Sequence, residues 1–114
     1  MLKNNTMVQS KTNLFDDHLG YKARLFKALS HPARLDILQF LAQTQTCITG
    51  DISDQMPLGR TTVNQHLKEL KDIGLIVGNT TGVSTNYCLN PKKVNEVSQL
   101  LINFFERLKM NKCC

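Results

Sequence analysis

Between residues 60 and 73 the apolar positions are Val63, Leu67, Leu70 and Ile73, separated by four, three and three residues. That spacing predicts one buried stripe along a helix and excludes a strand face. Gly74 follows at once, where a helix end favours a residue free to adopt positive φ. Upstream, residues 50–55 read as a short helix with Thr49 as its N-cap, and Ile52 and Met56 face inward. Pro57-Leu58-Gly59 then makes a turn that Leu58 would plug. A short helix, a tight Gly-containing turn and a longer helix predict a helix-turn-helix.

The rest of the chain extends that unit. Residues 1–14 are polar and predict a loose tail. A first helix should begin near Asp16, with Leu19, Ala23, Phe26 and Leu29 as its apolar face. Ser30-His31-Pro32 breaks it, with Ser30 as cap and Pro32 in the first turn of a second helix ending near residue 43. Leu35, Ile37, Leu38, Phe40, Leu41 and Ala42 make that helix apolar around much of its circumference, as a central core helix would be. Residues 44–46 read as a polar linker. Residues 75–77 and 84–89 read as two short strands around a loop at 78–82, a β-hairpin forming a wing. Asn90 caps and Pro91 starts a last helix, on which Val94, Val97, Leu101, Phe104 and Leu108 recur at three and four. Leu100 and Phe105 widen this stripe beyond what a lone surface helix needs. Val97, Leu101, Phe104, Phe105 and Leu108 are therefore expected to pair with a second copy, together with helix one. The alternative is that the helix packs only on its own core. The fold class is mainly α with a small β-hairpin, a dimeric winged helix-turn-helix. The expected domain plan is a tail at 1–14, one domain at 15–110, and a Cys-containing tail at 111–114.

Composition narrows the function. The 114 residues suffice for one domain, and 41% are hydrophobic. No run of about 18 apolar residues could span a membrane. The N-terminal stretch has no apolar signal-peptide core, so export is not expected. Fourteen Lys and Arg against nine Asp and Glu give a net charge of +5, which favours a polyanionic partner. The face of the 60–73 helix opposite its stripe carries Arg60, Thr61, Thr62, Asn64 and Gln65 in its first half, with no acid among them. Arg suits guanine edges, Asn and Gln suit adenine, and Thr can meet a phosphate or a thymine methyl. Lys68 lies a turn further on, where it would reach a phosphate. Glu69 and Asp72 come later, where the helix should leave the groove. A solvated helix face in an ordinary domain would also be polar; turn, helix and hairpin together favour DNA. Four Cys without an export signal are expected to be reduced thiols, and the absence of a C-x-x-C pair excludes zinc-finger spacing. No paired carboxylates, Ser-His-Asp order or phosphate-binding glycine loop supports an enzyme.

The segments KALSHPARLDILQFL, PLGRTTVNQHLKELKDIGLIVG and YCLN resemble the ArsR/SmtB family of winged-helix transcriptional repressors. The resemblance covers roughly residues 25–108. It implies a cytosolic homodimer that binds an inverted-repeat operator in double-stranded DNA and releases it when an effector binds. In that family the effector is often a metal or metalloid ion, and in other members a redox or sulfur signal. The family's C-V-C-D-L metal pattern is incomplete here. Cys47-Ile48-Thr49-Gly50-Asp51-Ile52 looks like a C-I-C-G-D-I variant with Thr49 in place of the second Cys. Residues 94–109 contain no His, so the family's terminal-helix zinc site is missing. Residues 79–86 contain no Lys or Arg, so wing contacts to phosphate would be neutral.

Cys113 and Cys114 are adjacent, and neighbouring thiols suit a pyramidal trivalent ion such as arsenite or antimonite better than tetrahedral zinc, or cadmium. A third thiolate could come from Cys47, the first choice, or from Cys88, read here chiefly as a packing residue. The plainer reading makes Cys113 and Cys114 incidental, Cys88 a core strand residue and Cys47 a small buried filler. His31 and His66 read as structural hydrogen-bonding residues and His18 as exposed. No cofactor is required. Two other functions stay open: a repressor sensing oxidants or persulfides through a dithiol, and a winged-helix protein-interaction module that does not bind DNA.

Overall fold

The structure is a computed structural model that describes residues 15–44, 47–49, 52–81 and 84–111. The tails at 1–14 and 112–114 lie outside the described residues. Helix α1 is Asp17–Ala28, α2 Pro32–Thr44 and α3 Arg60–Asp72, followed by strands β2 (Ile76–Thr81) and β3 (Ser84–Leu89) and helix α4 (Pro91–Lys109). A two-residue strand, β1 (Ile48–Thr49), and a 3₁₀ turn at Ile52–Gln55 stand between α2 and α3. This is a winged helix-turn-helix with one three-stranded antiparallel sheet in the order β1-β3-β2. Among the described residues no helix is long and apolar enough to cross a membrane.

The stripe on α3 packs as its spacing predicts. Val63, Leu67 and Leu70 are buried and Ile73 packs beside them. Around them gather Leu25 of α1, Ile37 and Leu41 of α2, Ile52 of the 3₁₀ turn, Leu75, Ile76 of β2 and Val97 of α4. Each fully buried aliphatic side chain contributes about 1.5–3 kcal/mol over an exposed one. The core therefore holds α3 from one side only and leaves its other face outside.

The ends of α3 are set by local chemistry. Gly74 has φ 91°. Gly74 N–H donates to the Lys71 carbonyl at 3.0 Å and Leu75 N–H to the Leu70 carbonyl at 3.1 Å. These two bonds make a Schellman stop, and Leu70 and Leu75 meet in the core beneath it. The hairpin then pairs Ile76 with Leu89 and Gly78 with Tyr87. A Cβ at Gly78 would lie 3.1 Å from the Tyr87 ring, which would have to shift by a few tenths of an ångström to admit it. Asn90 accepts from Lys93 N–H at 3.3 Å and Pro91 opens α4, as its sequence predicts.

Five expectations change. The α2 cap is His31, whose Nδ1 accepts from Ala33 N–H at 3.0 Å; Ser30 Oγ instead donates to the Lys27 carbonyl. Thr49 lies in β1, paired with Asn86 of β3, and the 3₁₀ turn that follows is Ile52–Gln55 rather than a helix starting at residue 50. β2 runs on to Thr81, so the loop begins later than residue 78. Helix α1 turns Leu25 and Ala28 inward, with Tyr21 and Leu29 beside them, and leaves Leu19, Ala23 and Phe26 exposed. Both sets have helical spacing, so periodicity alone could not choose between them. Finally α2 fully buries Ala33, Ile37 and Leu41 and packs Leu38 and Phe40 half-buried against the core, while Leu35 and Ala42 face outward.

Candidate functional site

The exposed face of α3 begins at its N-terminus. Gly59 is the N-cap, with no side-chain cap hydrogen bond, and its carbonyl accepts from Val63 N–H at 3.0 Å. Arg60, Thr61, Thr62, Asn64, Gln65 and Lys68 are all exposed. At 3.6 residues per turn, Thr61, Asn64, Gln65 and Lys68 lie opposite the buried stripe, while Arg60 and Thr62 flank it. The structure thus brings all six predicted DNA-contacting residues to one surface. Lys68 is not wholly at liberty: its Nζ is 2.9 Å from Asp72 Oδ2, and this bond raises its pKa. The pair is exposed, so it is weak and a phosphate can compete for the ammonium.

Behind this face lies a polar cluster. Arg34 Nε donates to His66 Nδ1 at 3.1 Å, and Arg34 Nη1 donates to the carbonyls of Lys27 and Ala28 at 3.1 and 3.3 Å. One guanidinium thereby ties the end of α1 and the start of α2 to α3. The His31 and His66 rings pack at 4.2 Å between centroids. An Arg can only donate, so His66 must be neutral with its proton on Nε2, which is buried with no hydrogen-bond partner among the described residues. His66 is only 6% exposed. Burial first, then the neighbouring His31 and the Arg34 guanidinium, push its pKa below the usual histidine value. The sequence showed each histidine as structural; their meeting with Arg34 needed the third dimension.

A pH dependence follows. The unfolded chain takes up the His66 proton near about 6.5, and the folded chain takes it up only at lower pH. Stability from this group is complete above that value and is lost as pH falls through the folded pKa. The slope is at most about 1.4 kcal/mol per pH unit. Thermal melts from pH 7 to 5 should show it, and His66→Gln should flatten it. An unchanged slope in that variant would remove His66 as the cause.

The cysteines fall into two groups. Cys113 and Cys114 lie outside the described residues. Cys47 and Cys88 are joined as a disulfide, with Cα atoms 4.4 Å apart. The sequence placed these two apart, Cys88 as a packing residue and Cys47 as a thiol open to a metal; in this structure they are bonded to each other. The cause is register. β1 pairs Ile48 with Tyr87 and Thr49 with Asn86, and one step outward sets Cys47 opposite Cys88. Facing residues of a non-hydrogen-bonded antiparallel pair stand about 4.5 Å apart, within disulfide reach. A strand only two residues long left no period in the sequence. Among the described residues no group of three or more His, Cys, Asp or Glu is placed to hold a metal ion.

The predicted dimerisation residues divide by face. Val97 is 6% exposed and belongs to the subunit's own core, with Leu101 packed against that core. The inward turn of α4 uses these two, which takes Val97 out of any interface. Phe105 is 48% exposed and Leu108 56%. The Phe26 ring of α1 lies 5.9 Å from Phe104 and 6.3 Å from Phe105. The three rings form one partly exposed apolar cluster across α1 and α4, with Leu19 exposed on the Phe26 side of α1.

Comparison with known proteins agrees with this architecture. A family model described as a helix-turn-helix domain matches residues 29–79. The arsenical resistance operon repressor of Bacillus subtilis (strain 168) is 34% identical over 91 residues, covering 78% of this chain and 86% of the relative. The HTH-type transcriptional regulator YgaV of Escherichia coli (strain K12) is 31% identical over 83 residues, 73% of this chain and 84% of the relative. An ArsR-like transcriptional regulator from Rhodococcus sp. RHA1 superposes with a TM-score of 0.68 at 21% identity, over 82% of this chain and 88% of that one. A homodimeric winged helix-turn-helix DNA-binding domain from Mycobacterium bovis gives 0.62 at 24% identity, over 96% and 99%. At these identities the structural likeness is one of fold. The sequence identity to the curated relatives goes further: the chain belongs to the ArsR family of winged-helix transcriptional regulators.

Proposed function

We propose that this protein is a homodimeric repressor that acts in the cytoplasm, binds an inverted-repeat DNA operator through α3, and leaves it when a thiol-reactive effector binds. One observation carries the DNA reading: a helix with a buried inner stripe presents Arg60, Thr61, Thr62, Asn64, Gln65 and Lys68 on one exposed surface. A protein-interaction helix would instead be expected to offer apolar anchors there. The exposed α1–α4 face supports pairing, and the Mycobacterium bovis neighbour is described as homodimeric.

The effector we favour is a trivalent metalloid such as arsenite or antimonite. Two relatives, from Bacillus subtilis and Staphylococcus xylosus, are described as arsenical resistance operon repressors. Cys113 and Cys114 supply adjacent soft ligands at almost no loop-closure cost. Cys47 can serve as a third thiolate only once its bond to Cys88 is reduced. Zinc or cadmium suits two neighbouring thiols less well. Release requires the ion to bind the DNA-free arrangement more tightly than the bound one. Titrating the reduced, operator-bound protein with arsenite, zinc, cadmium and peroxide in parallel tests the reading. A chain ending at Lys112 should keep its operator affinity and lose release by arsenite. If it leaves DNA at the same arsenite concentration as the full chain, the tail is not the sensor.

A further inference from the structure

The cross-strand cysteines do more than join two strands. The disulfide spans 41 residues of sequence. The 3₁₀ turn, α3, β2 and most of β3 all lie within that ring. Apart from the disulfide, two residue pairs among the described residues tie β1 to the wing, Ile48 with Tyr87 and Thr49 with Asn86. A two-pair ladder opens readily; a covalent closure does not. Closed, the bond ties the end of β3 to the segment that enters the helix-turn-helix; opened, it removes that tie. Cys47 is exposed and Cys88 half-buried, so a small oxidant can reach the pair from the Cys47 side.

We propose that Cys47 and Cys88 form a hydroperoxide-sensitive dithiol whose oxidation ties the wing to the entry of the helix-turn-helix and lowers operator affinity. The proposal rests on the operator-binding reading and adds to it a site separate from the cysteine tail. The chemistry balances in two steps. The Cys47 thiolate attacks one peroxide oxygen; the S–O bond forms, the O–O bond breaks, and the leaving hydroxide takes a proton to become water. The Cys88 thiolate then attacks the Cys47 sulfur; the S–S bond forms, the S–O bond breaks, and a second hydroxide leaves as water. Two thiols lose two electrons in all, and one hydrogen peroxide becomes two waters. In a compartment that keeps thiols reduced the bond is transient, as a signal requires. Linkage adds a reciprocal effect: if the disulfide weakens DNA binding, bound DNA must oppose disulfide formation by the same factor.

The test uses the full chain and a duplex selected by the reduced protein. Hydrogen peroxide should lower the mass by about 2 Da in a peptide pair containing Cys47 and Cys88. It should weaken duplex binding about tenfold or more, and dithiothreitol should restore it. Bound duplex should slow or suppress the mass change. Cys88→Ala and Cys88→Ser, each checked for a cooperative melt, should lose both responses. No Cys47–Cys88 peptide, or a disulfide that leaves affinity unchanged or raises it, overturns the proposal. If the reduced protein selects no duplex, the operator reading fails, and with it the claimed effect on affinity; the peptide map still reports separately whether the pair is oxidised.

Discussion

A Phe105→Asp chain is expected to sediment as a folded monomer and to bind its operator about a hundredfold or more less tightly. Phe105 is half-exposed in the single subunit, so the substitution removes little from the core. At the centre of a paired α1–α4 face the same carboxylate would be desolvated opposite its own copy, which costs several kcal/mol. Two-fold operators are read by two recognition helices about one helical turn apart, and a monomer offers one. Specific complexes are commonly a thousandfold or more tighter than non-specific ones, so losing half the reading surface forfeits most of that margin. Leu101 is the poorer test, because it packs against the subunit's own core and its loss would confuse folding with pairing. Sedimentation and circular dichroism of the variant, with duplex titration, give the answer. A Phe105→Asp dimer of unchanged affinity would place the interface elsewhere.

The second large effect is on discrimination. Arg60→Ala and Gln65→Ala should each cost about 1–3 kcal/mol at one base pair, or roughly five- to hundredfold, and relax the preference there. Both side chains are exposed, so the fold should be unaffected. Lys68→Ala should behave differently. Its ammonium is shared with Asp72, and a phosphate contact carries no base information. All duplexes should weaken alike, and the salt slope should flatten by about one. Unchanged operator binding in the double variant Arg60→Ala/Gln65→Ala would remove α3 as the reader.

The parts of this molecule legible in the sequence were those with a period or a local signal. Val63, Leu67 and Leu70 marked the inner face of α3, Gly74 its end, and Asn90-Pro91 the start of α4. The exposed residues of α3 followed from the inner face by subtraction. What escaped notice depends on pairing between distant segments. Cys47 and Cys88 meet only because β1 adopts one register against β3. Arg34 reaches His66 across 32 residues, although the His31-Pro32 helix start and the His66 position were each visible. Helix α1 has two apolar faces, and only the placement of α2 and α4 decides that Leu25 turns in while Phe26 turns out. Val97 misled for the same reason: its stripe on α4 serves two surfaces at once, the subunit core and the outer face.

The central claim, that paired α3 helices read a two-fold operator, is tested most directly by selection from random duplex DNA with the reduced full chain. The account predicts enrichment of an inverted repeat whose half-site centres lie about 10 bp, or a multiple of that, apart. Binding should be saturable, with two subunits per duplex. Selection of no sequence, or of a single unrepeated half-site bound by one subunit, would contradict it.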